Sequence, residues 1–194
     1  MEILEKILGN RARVKIMKLF LLNKGSGFRS VDVATRSRVN PYIARRELKL
    51  LASVNFIKRR DKEWFFNTFF KYASPFEELL VRSDTLNKQT ILDNFKKIGK
   101  IKLLISSGVF IKYDDSRLDL LIVGDKLRRG RIEEGIRRLE ALIGVELVYA
   151  VFDTEEFIYR LNMYDKLIRD VLDYPHEVIL QAKELSHPLT LKKL

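Results

Sequence analysis

The chain has 194 residues and no cysteine, which excludes disulfides, thiolate metal sites and cysteine nucleophiles together. Its two histidines, His176 and His187, stand outside any ligand-spaced cluster, so neither a zinc site nor another cofactor is expected. The formal net charge is +11, and residues 1–70 hold 16 Lys and Arg against 6 Asp and Glu, an asymmetry that points to a polyanion-binding module joined to a near-neutral partner domain.

The opening M-E-I-L-E-K-I-L lacks the basic-then-apolar layout of a secretory leader. No apolar run approaches the ~18–20 residues that span a bilayer. A soluble cytoplasmic protein that does not engage a membrane is expected. Residues 11–23 place Val14, Met17, Phe20 and Leu21 on one helical face. A turn-forming stretch over 23–27 leads to a short helix within 28–38, expected to pack Val31 and Ala34 inward with Ser30 as its cap.

The next helix begins at Asn40, a good N-cap, with Pro41 in the first helical position. Its inward stripe is Ala44, Leu48 and Leu51. Tyr42, Arg45, Arg46 and Lys49 recur at helical spacing on another face, the set a helix entering a DNA major groove needs. A β-hairpin follows, with strands near 56–60 and 63–68 and a turn at Asp61 and Lys62. Lys58, Arg59, Arg60 and Lys62 crowd its tip, while Trp64, Phe65 and Phe66 are expected to close a small core. This order predicts a winged helix-turn-helix over residues 1–72 that docks on double-stranded DNA through Arg11, Arg13, Asn40, Tyr42, Arg45, Arg46 and Lys49 and the wing cations. Each cation alone reads equally well as part of a solvated face; the set, confined to one third of the chain, favours nucleic acid. An A-form major groove is too deep and narrow for this helix, which favours DNA over RNA.

Residues 71–75 read as a linker, and 73–194 as a second, near-neutral α/β domain. Its predicted elements are a helix over 76–98 ended by Gly99, strands at 101–111 and 118–124, a helix at 131–143, a strand at 145–152, a helix at 154–173 capped by Asp153 with Glu156, and a strand at 176–181. Residues 182–194 read as a loose tail. The helices 76–98 and 154–173 are the candidate surfaces of a homodimer, since paired half-sites strengthen a small DNA module. The expected fold class is therefore α+β, a winged helix-turn-helix followed by a small mixed sheet.

Gly108 followed by L-D-L-L-I-V-G at 118–124 resembles the hairpin of the minimal nucleotidyltransferase fold. That family's pattern is Gly-Ser, a loop, then Asp-hydrophobic-Asp, with a third carboxylate on a later strand; the aspartates hold Mg²⁺ against nucleotide phosphates. Here Gly108 and Asp119 match, but Val109 stands at the Ser and Arg117 at the first Asp. Glu146 is the nearest candidate for the third carboxylate. Asp114 and Asp115 have turn positions and the wrong spacing. An Arg in place of a carboxylate adds positive charge where Mg²⁺ needs oxygen ligands, so no catalytic residue and no metal are assigned, and Asp119 is expected to pair with Arg117 or a nearby Lys. An emptied cleft could retain a nucleotide or other anion through Gly108, Arg117, Asp119, Arg128, Arg129 and Arg131.

With the basic module in front, the chain is similar to a group of prokaryotic transcriptional regulators with a winged helix-turn-helix and a degenerate nucleotidyltransferase-like domain. The stretches that carry the resemblance are R-V-K-I-M-K-L-F-L-L-N, A-R-R-E-L-K-L-L, L-D-L-L-I-V-G-D and V-Y-A-V-F-D-T-E-E-F-I-Y-R-L. The resemblance implies sequence-specific DNA binding by a homodimer, with the second domain inactive and serving dimerisation or small-molecule sensing. The alternatives are a magnesium-dependent minimal nucleotidyltransferase of a toxin–antitoxin pair and an RNA-binding accessory protein.

Overall fold

Two clusters of buried apolar side chains divide the chain, and the computed structural model, which describes residues 2–82 and 86–185, assigns each cluster to its own unit. The first unit takes Met1–Leu86 together with Arg137–Glu146; the second takes Asn87–Ile136 and Leu147–Leu194. The architecture is mixed α+β with two small sheets. Among the described residues no helix is long and apolar enough to cross a membrane.

In the first unit, α1 (Glu2–Ile7), which the sequence reading did not anticipate, precedes α2 (Arg11–Leu22), β1 (Phe28–Arg29), α3 (Ser30–Arg36) and α4 (Pro41–Ser53). Then β2 (Ile57–Arg60), β3 (Glu63–Phe66) and α5 (Ala73–Glu77) follow. The expected caps and stripe of α4 are present: the Asn40 side chain accepts from Tyr42 N, and Ala44, Leu48 and Leu51 are buried. α2 buries Val14, Met17, Phe20 and Leu21 as its spacing predicts. In α3 the inward pair is Val33 and Ala34, whereas Val31 is exposed. Ser30 does not cap that helix, for its hydroxyl accepts from Trp64 Nε1 at 3.1 Å. The hairpin turns at Asp61, whose φ of 52° an aspartate tolerates. β1 adds a third strand, giving the antiparallel order β1-β3-β2.

The boundary expected at residue 72 is not where the units divide. Phe70 and Phe76 both pack edge-on against Phe56, at 5.2 and 6.3 Å between centroids, and Leu80 is fully buried in the same core. Pro75, which suggested a linker, lies in the first turn of α5, where a missing N–H costs nothing.

In the second unit, α6 (Lys88–Asn94), β4 (Lys100–Ser106), β5 (Leu120–Asp125) and α7 (Arg129–Ile143) lead to β6 (Tyr149–Phe152). α8 (Thr154–Asn162), α9 (Lys166–Asp173) and β7 (Glu177–Gln181) complete it. α7 ends within the segment that belongs to the first unit. The sheet order is β6-β5-β4-β7, with β5 and β6 parallel and the other pairs antiparallel. Both faces of the central strands are buried: Leu121 and Val123 join the cluster around Phe157, and Leu120 and Ile122 on the other face are equally inaccessible. That explains why these strands read as unbroken apolar runs rather than alternating ones.

Two long predicted helices are broken. The span 76–98 holds the last residues of α5, a π-helical turn over Glu78–Arg82 and α6, which is capped by Asn87 and ends five residues before Gly99. The span 154–173 splits at Tyr164, with φ of 55°, and restarts where Asp165 accepts from Leu167 N and Ile168 N. Asp153 caps α8 as expected, while the Glu156 carboxylate accepts from Arg160. The strand predicted over 101–111 stops at Ser106, and Gly108–Phe110 forms a 3-10 turn. Of the predicted tail, Lys183–Leu185 makes a 3-10 turn with Leu185 buried, and residues 186–194, His187 included, lie outside the described residues.

Candidate nucleic-acid interface

α4 owes its exposed cationic face to its 3.6-residue period. With Ala44, Glu47, Leu48 and Leu51 turned inward, Tyr42, Arg45, Arg46 and Lys49 must emerge elsewhere, and all four are exposed, Tyr42 to 75 %. Arg45 and Lys49 make no side-chain hydrogen bond or ion pair among the described residues. Asn40 is exposed at the helix start with its Oδ1 held by the cap. Lys58, Arg59 and Arg60 are exposed on β2, and Lys62 at the turn. Three of these cations lie over aromatic rings: Lys58 over Phe69, Arg59 over Trp64 and Arg60 over Phe65, each 5.6 to 5.7 Å from the centroid. Stacking orders the long side chains without neutralising them. Phe66 is buried, Trp64 is half-buried against the core, and Phe65 is half-buried under Arg60.

Two expected contacts are otherwise engaged. Arg13 Nε donates to Glu47 Oε2 at 2.8 Å and its Nη1 to Leu8 O at 2.9 Å, so its guanidinium braces helices within the unit rather than facing outward. Arg11 is 64 % exposed but pairs with Glu5 at 3.3 Å. Glu47 was missed altogether. Only 1 % exposed, it accepts from Asn10 Nδ2 on Oε1 and from Arg13 Nε on Oε2, locking α4 to the start of α2, and Arg46 Nη2 stands 3.5 Å from the same Oε1. The signal was present, since positions 44, 47, 48 and 51 form one stripe; the charge of Glu47 disguised it.

The second unit does not assemble the anion cleft expected from Gly108, Arg117, Asp119, Arg128, Arg129 and Arg131. Ser106 pairs with Leu120, and Lys100 with Asp125. Gly108, Arg117 and Asp119 thus lie past one end of the β4–β5 pair, and Arg128, Arg129 and Arg131 past the other. A six-residue strand separates them by roughly 17–20 Å. Asp119 pairs with neither Arg117 nor a lysine. Its Oδ1 accepts from Val109 N at 2.9 Å and its Oδ2 from Val148 N at 2.8 Å, in a site only 8 % exposed. Gly108, at φ of 54°, leaves the space this needs, for a Cβ there would collide with Oδ1 of Asp119. Ser107 Oγ donates to Leu118 O in the same knot. Arg117 pairs instead with Asp170 at 2.6 Å. Glu146 precedes β6 rather than lying on it, and its carboxylate pairs with Arg36 at 2.6 Å within the first unit.

No family model matches the chain, and no curated protein or solved structure matches it significantly.

Proposed function

We propose that the first unit is a winged helix-turn-helix and that the chain is a sequence-specific regulator binding double-stranded DNA, with α4 as its recognition helix and β2–β3 as its wing. The observation that carries this reading is the exposed face of Tyr42, Arg45, Arg46 and Lys49 on a capped helix, two of whose cations have no partner among the described residues. The order helix, strand, helix, helix, strand, strand with sheet order β1-β3-β2 supports it. So does a charge excess confined to this part of the chain. Arg can pair with guanine in a bidentate way, and stacked wing cations suit phosphates, which fix register without reading sequence.

In this proposal the second unit is a nucleotidyltransferase-like domain without transferase activity. Asp119 is buried and tied to two backbone N–H groups, and the first metal-binding carboxylate of the family pattern is replaced by the cationic Arg117, so the oxygen cage Mg²⁺ needs is incomplete. The regulator is expected to act as a homodimer in the cytoplasm.

Selection of duplexes from fragmented genomic DNA, followed by affinity measurement at two salt concentrations, tests the reading. A short enriched motif that survives physiological salt is the expected result, and Arg45→Ala should lose about 1–3 kcal/mol of discrimination between that motif and a scrambled duplex. Binding that enriches nothing and vanishes with salt would leave only a basic surface.

A further inference from the structure

At the end of the β4–β5 pair away from Asp119, a cavity of about 660 Å³ is lined by Lys97, Gly99, Lys100, Asp125, Lys126 and Arg128. Four of those six residues are cations. The single carboxylate is committed elsewhere: Asp125 accepts from the Thr154 hydroxyl and pairs with Lys102 Nζ at 2.9 Å, and these partners hold its carboxyl below the usual range. Lys100 has a long, exposed pairing with Glu184 at 3.6 Å. Lys97, Lys126 and Arg128 make no side-chain hydrogen bond or ion pair among the described residues.

The two walls are fixed by backbone. Arg128 N donates to Ile98 O at 2.7 Å, and Gly99, at φ of 139°, lets the segments approach so closely that a Cβ would come within 2.6 Å of Lys126 O. Lys97 and Lys126 are held at φ of 66° and 52°, a left-handed conformation unfavourable for lysine. A loop free to relax would spread like charges apart; here three unpaired cations are held around one space whose lining carboxylate, Asp125, is engaged by Thr154 and Lys102.

We propose that this cavity binds the phosphate groups of a phosphorylated small molecule through Lys97, Lys126 and Arg128. A second cavity of about 490 Å³ shares Lys126 and continues past Leu127 and Arg129 to Tyr149 and Phe152. Its lining mixes aromatic and apolar side chains, Leu127, Tyr149, Val151 and Phe152, which suit the organic part of the same ligand, with Arg129 and the acidic Glu133, Asp153 and Glu156. Asp153 is engaged as the cap of α8 and Glu156 by Arg160. Together the two have the size and mixed lining of a metabolite site. The site lies in the second unit and does not depend on whether the first binds DNA.

The test is calorimetric titration of the full chain with inorganic pyrophosphate and with ATP at low ionic strength, beside the triple variant Lys97→Gln, Lys126→Gln, Arg128→Gln. All three side chains are exposed, and an unchanged melting temperature checks that the variant folds. Both probes should bind the wild type, ATP more tightly, and the variant should weaken each by at least about tenfold through lost charge-assisted bonds. No heat from either probe at millimolar concentration overturns the proposal. So does equal binding by the variant, or loss of binding on Lys58→Gln with Arg60→Gln instead.

Discussion

Asp119 is buried with both carboxylate oxygens accepting from backbone N–H groups, of Val109 and Val148. Removing it leaves two backbone donors unsatisfied in a site only 8 % exposed. Asp119→Ala is therefore expected to cost about 2–4 kcal/mol, read as a lower urea midpoint, while leaving DNA affinity of the folded protein unchanged. Lys15 carries a different signature. Partial burial, and next the nearby Arg11 charge, push its ammonium down to about 8. The folded state then releases this proton at lower pH than the unfolded chain, which holds it up to about 10.5. Between those values the unfolded state binds more protons, so stability from this group rises with pH. The melting temperature of the wild type relative to Lys15→Gln should increase from pH 7.5 to pH 10 (roughly the window set by the two pKa values). Residue identity was legible where chemistry and period agreed, as at Asn40, Ala44 and Leu48. It misled where they diverged: Glu47 sits on the apolar stripe, and Asp119 has the type of a metal ligand but the bonds of a structural tie.

At the scale of elements, the basic hairpin expected near 56–60 and 63–68 is formed by β2 and β3, which pair with Lys58 opposite Phe65 and Arg59 opposite Trp64. A wing that touches only phosphates contributes equally to every sequence. Lys58→Ala or Arg60→Ala should weaken all duplexes alike and reduce the slope of log affinity against log salt by about 1 each, whereas a change confined to one motif would assign them to base contacts. Short elements with strong punctuation were readable. Long helical runs were not, because the restart signals inside them, Asn87 and Asp165, also suit an exposed helix face. Only the apolar contacts on either side decide that a cap operates there. β1 escaped notice for another reason: two residues carry no period, and its pairing with β3 is nonlocal.

For the whole molecule, each unit has its own buried core, and the first needs more chain than its charge suggests. Phe76 packs edge-on against Phe56 and Leu80 is buried in the same core, and a fragment ending at residue 72 lacks both. A fragment of residues 1–72 should melt at a lower temperature and less cooperatively than one of residues 1–86 in parallel thermal scans; equal melts would return the boundary to residue 72. Composition, the absence of cysteine, the division of charge, the capped α4 with its cationic face and the β2–β3 hairpin were all determined by the sequence, because each depends on neighbours within a few residues. The end of the first unit and the partners of Arg13, Glu47 and Asp119 were decided only by the tertiary structure. Those depend on which distant groups share a low-dielectric space, and residue spacing along the chain does not encode that distance.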